Sequence, residues 1–212
     1  LRRFVEDKEV ELRMAQRQEI VGYRKDGSFF PMQASVAKVR HGADWLLVVT
    51  LNDIAERKRV EDELVRQATH DILTGLPNRA LIHSRLVSAL QRSRRNDQNL
   101  ALLFVDLDGF KLINDTHGHD AGDTLLKSVA QRLLAEVRPG DAVARLAGDE
   151  FVVLCEQVAK SEAIGSIAER ILQAIRQPVD FAGIQLQVTA SIGVAIGHGS
   201  THSADDLLRS AD

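Results

Sequence analysis

The sequence predicts an α/β (α+β) fold in which helices flank a central, mainly antiparallel sheet. Residues 100–105 form a continuous apolar run, the pattern of a strand that is buried on both faces. Residues 142–144 and 151–155 are two further apolar runs joined by a short acidic turn, which indicates a β-hairpin. Segments with apolar residues at helical spacing alternate with these strands, and a sheet covered by helices follows from that alternation.

The first quarter of the chain has a different pattern. Residues 20–24, 29–39 and 45–51 are rich in β-forming residues, and turns containing Asp and Gly separate them, which predicts an antiparallel meander. Residues 1–17 are charged and compatible with a helix. Residues 54–70 contain no glycine or proline and have apolar residues near heptad spacing. That spacing is typical both of a plain linker helix and of a helix that pairs two chains.

From residue 71 onwards, helices and strands alternate. Apolar spacing predicts three long helices, with Leu134 among the inward-facing residues of the second. The predicted helices cover 78–95, 120–137 and 161–177, and the predicted strands cover 100–106, 142–146, 151–156 and 186–197. The chain therefore divides into three parts, namely 1–53, 54–70 and 71–212.

Composition and charge exclude several classes of protein. The chain has 212 residues with a formal net charge of −3, and no basic patch favours nucleic acid as a partner. The single cysteine, Cys155, lies in an apolar strand and is expected to be a core residue in a reducing compartment. No apolar run has transmembrane length, and no signal peptide is recognisable. We expect a cytoplasmic protein, with any membrane tether of its parent upstream of residue 1.

Two acidic clusters are expected to meet at one edge of the sheet. Asp106 and Asp108 end the buried strand, and Asp149 and Glu150 occupy the hairpin tip. If the strand lies beside the hairpin, Asp106 and Asp149 converge. Carboxylates gathered at a strand end can hold a hard divalent cation such as Mg²⁺, although a solvated acidic edge is the alternative.

Four motifs in order give the chain a family resemblance. Residues 104–123 resemble the nucleotide-binding segment of GGDEF domains, the diguanylate cyclases. Residues 71–79 resemble the opening motif of that family, residues 145–151 its signature hairpin, and residues 188–195 a late core strand. The resemblance spans roughly residues 69–212. Residues 1–53 resemble the C-terminal half of a PAS sensor domain, and residues 54–70 then resemble a signalling helix.

The resemblance implies a reaction and a metal site. Two GTP molecules condense into cyclic di-GMP and two pyrophosphates, in a homodimer in which each subunit holds one GTP. The implied cofactor is Mg²⁺ or Mn²⁺, bound by Asp106, Asp149 and the Leu107 carbonyl. Glu150 is implied as a further ligand or as the proton acceptor, which makes Asp149 and Glu150 the implied catalytic pair.

The resemblance also implies how the substrate binds. Asn114 and Asp123 would read the guanine edge, because an amide and a carboxylate match its acceptors and donors. The alternatives are a helix cap for Asn114 and a first-turn charge for Asp123. Backbone N–H groups at a helix start, together with the Lys111 charge, would hold phosphate. The implied phosphate and hairpin contacts are Gly109, Phe110, Lys111 and Gly148.

A second implied site is inhibitory. Arg138 and Asp141 form an Arg-x-x-Asp motif at the position where the family binds cyclic di-GMP as a feedback ligand, although an ordinary turn would have the same pattern. Ala147 stands where the family has glycine, and the family's triphosphate-binding lysine and arginine are expected beyond Asp212. The alternative function is a weakly active GTP- or cyclic di-GMP-binding module that controls a neighbouring domain. An EAL phosphodiesterase downstream is such a neighbour, and a dimerising sensor relay is the third reading.

Overall fold

The structure is a computed structural model that describes residues 18–41, 44–158 and 161–212. The helix expected for residues 1–17 and part of the loop expected at 41–44 lie outside the described residues. The chain forms two compact units, one ending at Val65 and one beginning at Arg66.

The first unit contains a three-stranded antiparallel sheet. Its strands, in the order β1-β2-β3, are β1 (Gln18–Tyr23), β2 (Phe29–His41) and β3 (Asp44–Asp53). Gly27 takes a φ of 82° in the turn between the first two strands, a conformation that favours glycine. The predicted meander is confirmed, and β3 is exposed along its whole length.

A single helix, α1 (Ala55–Thr69), follows the meander. The Asp53 carboxylate accepts the Ala55 N–H at 2.9 Å and so satisfies one of the free donors at the helix start. Val60, Leu64 and Val65 are 50%, 59% and 62% exposed. The apolar stripe that the sequence predicts therefore lies on an exposed face of this helix.

The second unit is built on a four-stranded antiparallel sheet with the order β5-β6-β4-β9. These strands are β4 (Asn99–Asp108), β5 (Ala142–Ala147), β6 (Glu150–Val158) and β9 (Thr189–Gly197). Every residue of 100–105 in β4 is at most 9% exposed, so the predicted strand with two buried faces is confirmed. The predicted hairpin is β5–β6, and β4 pairs with β6.

Helices cover both faces of this sheet. They are α2 (Arg79–Asn96), α3 (Phe110–His117), α4 (His119–Glu136), α5 (Ser161–Ile175) and α6 (Ala204–Ala211). Leu103 of β4 belongs to the core that contains Leu125 of α4 and Ile171 of α5. Phe104, the next residue, belongs to the opposite core with residues of α2 and α6. This alternation decides on which face the acidic residues that end β4 lie.

Two sequence predictions are wrong. The expected strand 186–197 is divided, because β8 (Ile184–Leu186) pairs with β7 (Val179–Phe181) in a separate hairpin and β9 begins only at Thr189. Leu134, expected to face inward, is 51% exposed. The inward stripe of α4 runs through Val129, Ala130 and Leu133, and Leu134 lies about 100° further round the helix than Leu133.

Candidate active site

The tip of the β5–β6 hairpin has two residues between its last paired positions. Ala147 pairs with Glu150, and Gly148 and Asp149 form the turn. Gly148 has a φ of 48°, a left-handed conformation in which a side chain is strained. Ala147 is not among the described residues with positive φ, so alanine fits the strand conformation there. The departure from the family's first glycine therefore leaves the hairpin geometry intact.

The strand register brings the predicted acidic residues together. Asp106 of β4 lies directly opposite Glu150 of β6, and on its other side it pairs with Ser191 of β9. Asp106 and Glu150 lie on the same sheet face as Phe104, the face covered by α2 and α6. Like charges at directly opposite positions repel, so a positive charge placed between them would stabilise this pair.

The Asp106 carboxyl group lies in a field of negative charge. Burial raises its pKa, and the carboxylates of Asp149, Asp108 and Asp212 raise it further. A divalent cation would relieve this repulsion, so the donor set fits the predicted metal. Among the described residues, no three carboxylate, imidazole or thiol side chains form a metal-binding group. The predicted set has a backbone carbonyl, that of Leu107, beside Asp106 and Asp149, and it stays a prediction.

Asp108, although on the same strand face as Asp106, is bound to β9. The Thr189 hydroxyl donates to its carboxylate at 2.6 Å and the Ser191 hydroxyl donates at 2.9 Å. These hydrogen bonds, that of Thr189 first, lower the pKa of Asp108. Asp108 therefore joins the end of β4 to β9 and keeps its negative charge beside Asp106.

The opening motif, residues 71–79, is joined to the hairpin by Arg145. The Arg145 guanidinium donates to Asp71 at 2.9 Å and to the Gly148 carbonyl at 2.9 and 2.7 Å. The Arg145 N–H donates to the Pro77 carbonyl at 3.0 Å. Burial raises the pKa of Asp71, but hydrogen bonds from Thr74 and Arg145 outweigh it and the pKa is lowered. The motif therefore supports the hairpin tip from the side.

Sequence reasoning assigned no role to Arg79, the last residue of this motif. Its guanidinium lies 3.8 Å from the Glu150 carboxylate. The only sequence signal was its place in the motif, because Arg79 and Glu150 are far apart in the chain. The structure brings this cation to the acidic edge.

The residues predicted to read guanine lie where α3 meets α4. A Cβ atom on Gly122 would lie only 1.9 Å from the Asn114 side-chain oxygen, so the two helices approach closely there. Asn114 lies within α3, whose capping positions are Gly109 and Gly118, and the helix-cap alternative is wrong. Asp123 lies beyond the first turn of α4, where the acidic residue is Asp120. The alternative of a first-turn charge is therefore wrong as well.

The start of α3 has the form expected of a phosphate site. Gly109 takes a φ of 73°, and no side chain caps the helix. The Leu112 and Ile113 N–H groups bond to the Gly109 carbonyl. The N–H groups of Phe110 and Lys111 precede these bonds and remain available to an external acceptor.

Arg138 and Asp141 meet at the other end of the sheet. Arg138 Nε lies 3.4 Å from the Asp141 carboxylate, and the guanidinium is 59% exposed whereas the carboxylate is 3% exposed. Asp141 also accepts the Glu156 N–H at 3.1 Å. Arg138 donates to the carbonyls of Glu156 and Gln157. Arg138 is thus the accessible member of the pair, and Asp141 anchors the turn to β6.

A cavity of about 520 Å³ adjoins this pair. Its lining includes Arg138, Asp141, Arg170 and Cys155. Sequence reasoning missed Arg170, which lies on α5 and carries no motif. Burial raises the pKa of the Cys155 thiol to about 12, so Cys155 is an unreactive core residue, as predicted.

Comparison with known proteins identifies the second unit. Residues 68–212 match the family model for the diguanylate cyclase GGDEF domain. The chain belongs to the GGDEF family. None of the described helices combines the length and the apolar content that a membrane crossing requires.

Relatives of this GGDEF chain include a bifunctional enzyme of cyclic di-GMP turnover. The bifunctional diguanylate cyclase/cyclic di-GMP phosphodiesterase MucR of Pseudomonas aeruginosa is 44% identical over 154 residues, 73% of this chain and 22% of MucR. The chain therefore spans about a fifth of that relative.

Solved structures have the same fold. A truncated TpbB from P. aeruginosa, comprising only the GGDEF domain, has a TM-score of 0.65 at 40% identity, over 68% of this chain and 84% of that chain. The coiled coil and GGDEF domain of DgcB from Caulobacter crescentus, in complex with c-di-GMP, has a TM-score of 0.66 at 28% identity. That match covers 74% of this chain and 84% of DgcB's.

Proposed function

We propose that residues 71–212 are the catalytic domain of a diguanylate cyclase, which condenses two GTP molecules into cyclic di-GMP and two pyrophosphates. The observation that supports this most strongly is the acidic edge, where Asp106 lies opposite Glu150 and beside Asp149. The family match and the relatives named as diguanylate cyclases support it independently. A solvated edge would not need repelling carboxylates on the ends of paired core strands.

The proposed cofactor is a divalent cation, Mg²⁺ or Mn²⁺. Asp106, Asp149 and the Leu107 carbonyl would hold it, with Glu150 as a further ligand or as the proton acceptor. When bound, the cation neutralises polyphosphate charge and makes the attacking hydroxyl more acidic. The protein contributes the spacing of these oxygens, which the β4–β6 register and the hairpin tip determine.

GTP would bind along α3. The Asn114 amide and the Asp123 carboxylate are proposed to read guanine, and the free N–H groups of Phe110 and Lys111 to hold phosphate. One chain then presents one GTP, so the 3′-hydroxyl of each nucleotide must attack the α-phosphorus of the other in a homodimer. The exposed stripe on α1 is the proposed pairing element.

The regulatory part of the proposal rests on residues outside the acidic edge. Cyclic di-GMP is proposed to bind as feedback ligand at Arg138 and Asp141, and the complex of the related DgcB with c-di-GMP supports this class of ligand. Residues 1–53 are proposed to be a partial PAS sensor domain and residues 54–70 its linker. The chain is proposed to lie in the cytoplasm, with an EAL domain as a neighbour in the parent protein.

The test is the loss of product in charge-neutral variants. Asp106→Asn and Asp149→Asn should each lower cyclic di-GMP formation at least about 100-fold, because each removes a carboxylate that stabilises the transition state through the cation. Chromatography of the nucleotides after incubation with GTP and Mg²⁺ or Mn²⁺ measures this. Activity retained in both variants would contradict the catalytic assignment of Asp106 and Asp149. If the parental chain bound nucleotide but formed no product, the alternative function of a binding module would be favoured.

Thermal unfolding provides the control for folding. Burial, and then repulsion by neighbouring carboxylates, raises the pKa of Asp106 in the folded protein. Its stabilising contribution is therefore present below the ordinary carboxyl pKa and is lost as the pH rises through the raised one. Asp106→Asn removes the repulsion, so at neutral pH this variant should melt no lower than the parental chain.

A further inference from the structure

Arg79 is a cation at the acidic edge without an assigned role. It is the first residue of α2, its side chain is 62% exposed, and its ion-pair partner is Glu150 at 3.8 Å. That distance is too long for a hydrogen bond, so the donors of the Arg79 guanidinium stay available to a ligand. A cation with free donors beside a predicted catalytic carboxylate is the feature that carries the inference.

The backbone that carries Arg79 is held firmly. Asn78, the residue before it, caps α2 by accepting the Leu81 N–H at 3.1 Å. The Asn78 N–H donates to the Thr69 carbonyl at 2.9 Å, and the Asn78 amide donates to the Ala68 carbonyl at 2.9 Å. The base of the side chain is therefore fixed while its guanidinium extends into solvent. A fixed base with an exposed charged end suits a group that must meet an incoming ligand.

The neighbouring cations are already engaged. Arg145 donates to Asp71 and to the Gly148 carbonyl, and it is only 11% exposed. Arg209 is bound to Asp206 at 2.7 Å. Among the described arginines near the acidic edge, Arg79 has the weakest attachment to the protein.

Arg79 also borders a cleft. Its volume is about 120 Å³. Two arginines and two carboxylates contribute charge to its lining, and three apolar side chains complete it: Arg79, Arg209, Glu150 and Asp212, with Phe104, Leu146 and Leu208. The cleft lies on the sheet face that carries Asp106 and Glu150. A polyphosphate held at that edge would meet the Arg79 guanidinium at the rim.

Resting on the proposed function, we propose that Arg79 binds the polyphosphate of GTP in its own subunit and neutralises the pyrophosphate leaving group. In that reaction, the 3′-oxygen of one GTP forms a bond to the α-phosphorus of the other, and the bond from that phosphorus to the oxygen leading to the β-phosphate breaks. Pyrophosphate keeps the electron pair, and the hydroxyl proton passes to the Glu150 carboxylate or, where Glu150 binds the cation, to water. The planar guanidinium suits phosphate oxygens because it can donate two parallel hydrogen bonds.

This role differs from mere support of Glu150. If Arg79 binds polyphosphate, removing its charge weakens the binding of a nucleotide more, the more phosphate groups that nucleotide carries. If it only holds Glu150, which is itself a proposed ligand of the cation, nucleotide affinity measured without Mg²⁺ is unchanged whatever the length of the phosphate chain. The two roles are therefore separated by binding measurements that require no turnover.

The experiment is calorimetric titration of the chain with 3′-deoxyguanosine 5′-triphosphate, both with and without Mg²⁺, and with guanosine 5′-monophosphate. The triphosphate lacks the attacking hydroxyl and cannot cyclise. Arg79→Ala should weaken triphosphate affinity about 10-fold or more, because a charge-assisted contact is lost, and should change monophosphate affinity less than about twofold. Arg79→Lys should fall between the parental chain and Arg79→Ala.

Arg85→Ala is the matched control, since it removes the same charge from the exposed side of the same helix. The role of Arg79 would be overturned, and the proposed function left standing, by either of two results. One is equal triphosphate affinity in Arg79→Ala and the parental chain, and the other is a loss of triphosphate affinity in Arg85→Ala as large as that in Arg79→Ala. A parental chain that binds neither nucleotide would overturn the proposed function together with the role of Arg79. If thermal unfolding shows that Arg79→Ala does not fold, the same affinities are measured for Arg79→Gln and judged by the same criteria.

Discussion

Two adjacent residues at the hairpin tip have different conformational requirements. Gly148 has a left-handed φ of 48°, whereas Ala147 is an ordinary strand residue that pairs with Glu150. Any side chain at residue 148 would be strained, but a methyl group at residue 147 is not. From the sequence alone, Ala147 favoured the weakly active binding module, because the effect of replacing a glycine can be judged only once the φ angle at that residue is known.

The accessible member of the predicted inhibitory pair gives a prediction at the scale of one residue. Arg138→Ala should weaken cyclic di-GMP binding about 10-fold or more, because an exposed guanidinium that can pair with guanine or phosphate is lost. Affinity for 3′-deoxyguanosine triphosphate should stay the same, since Arg138 lies away from the acidic edge. Calorimetry with both ligands measures this, with Arg95→Ala as a control that removes the same charge. Unchanged cyclic di-GMP affinity would mean that this Arg-x-x-Asp is only a turn.

Single exposed arginines were the main omission from the sequence-based site. Asp106 and Asp149 could be predicted because each ends or joins a recognisable apolar strand. Arg79 and Arg170 could not, because an exposed arginine on a helix has no periodic signal, and its partner is determined by packing. Only the folded chain places Arg79 beside Glu150 and Arg170 beside the Arg138 cavity.

At the scale of elements, one turn is fastened to one hairpin. Arg145 connects the Asp71 carboxylate to the Gly148 carbonyl, and its own N–H holds Pro77. The position of the hairpin tip thus depends on residues that precede α2 in the chain. Residues 71–79, which the family resemblance identifies only as an opening motif, therefore support the acidic edge.

The lowered pKa of Asp71 gives a prediction with a defined pH dependence. A carboxylate whose folded pKa is lowered adds stability above its ordinary pKa of 3.8, and the contribution is lost as the pH falls through the lowered value. Asp71→Asn should therefore reduce the free energy of unfolding at pH 7 by about 1–3 kcal/mol, and the difference should shrink below about pH 4. Denaturant unfolding at pH 7 and pH 3 measures this.

Asp115→Asn, a change at an exposed carboxylate on α3, is the matched control for the Asp71 variant and should leave stability nearly unchanged. The same loss of stability for Asp71→Asn at both pH values would contradict an ionic role for Asp71. In that case the hydrogen bonds alone would account for the effect.

The predicted strand that proved to be divided between β8 and β9 shows what a local sequence pattern cannot predict. Residues 186–197 are rich enough in β-forming side chains to look like one strand. Ala182 and Gly183 take φ values of 51° and 83°, and the turn that they form pairs Ile184 with Phe181. Which neighbour a strand pairs with depends on long-range packing, and periodicity does not report it.

At the scale of the whole molecule, the proposed reaction requires two chains. Each chain offers one nucleotide site, and the exposed apolar stripe of α1 lies directly before the GGDEF domain. Pairing two such helices would raise the effective concentration of the two domains. The heptad-like spacing could be read from the sequence, but pairing between chains leaves no separate pattern in one chain.

The pairing model predicts that both concentration and helical register affect activity. Specific activity should rise with protein concentration, and Leu64→Glu combined with Val65→Glu should lower it by separating the helices. Two residues inserted after Glu63 should also lower it, since they rotate the domain by about half a helical turn. Seven inserted residues, about two full turns, should restore activity. Rates of cyclic di-GMP formation over a range of concentrations check this, and indifference to all these changes would mean a passive linker.

The central position of β4 has a further consequence for how the molecule fluctuates. With β6 on one side and β9 on the other, the peptide groups of β4 are protected by neighbours along both edges. Such amides exchange with solvent hydrogen only when the whole unit opens, whereas edge strands such as β5 exchange by local fraying. Asp106 is attached to this slowest-opening strand and Asp149 to the tip of a hairpin at the margin. One half of the acidic edge therefore keeps its geometry until global unfolding, while the other half keeps it only as long as Arg145 joins the hairpin tip to Asp71.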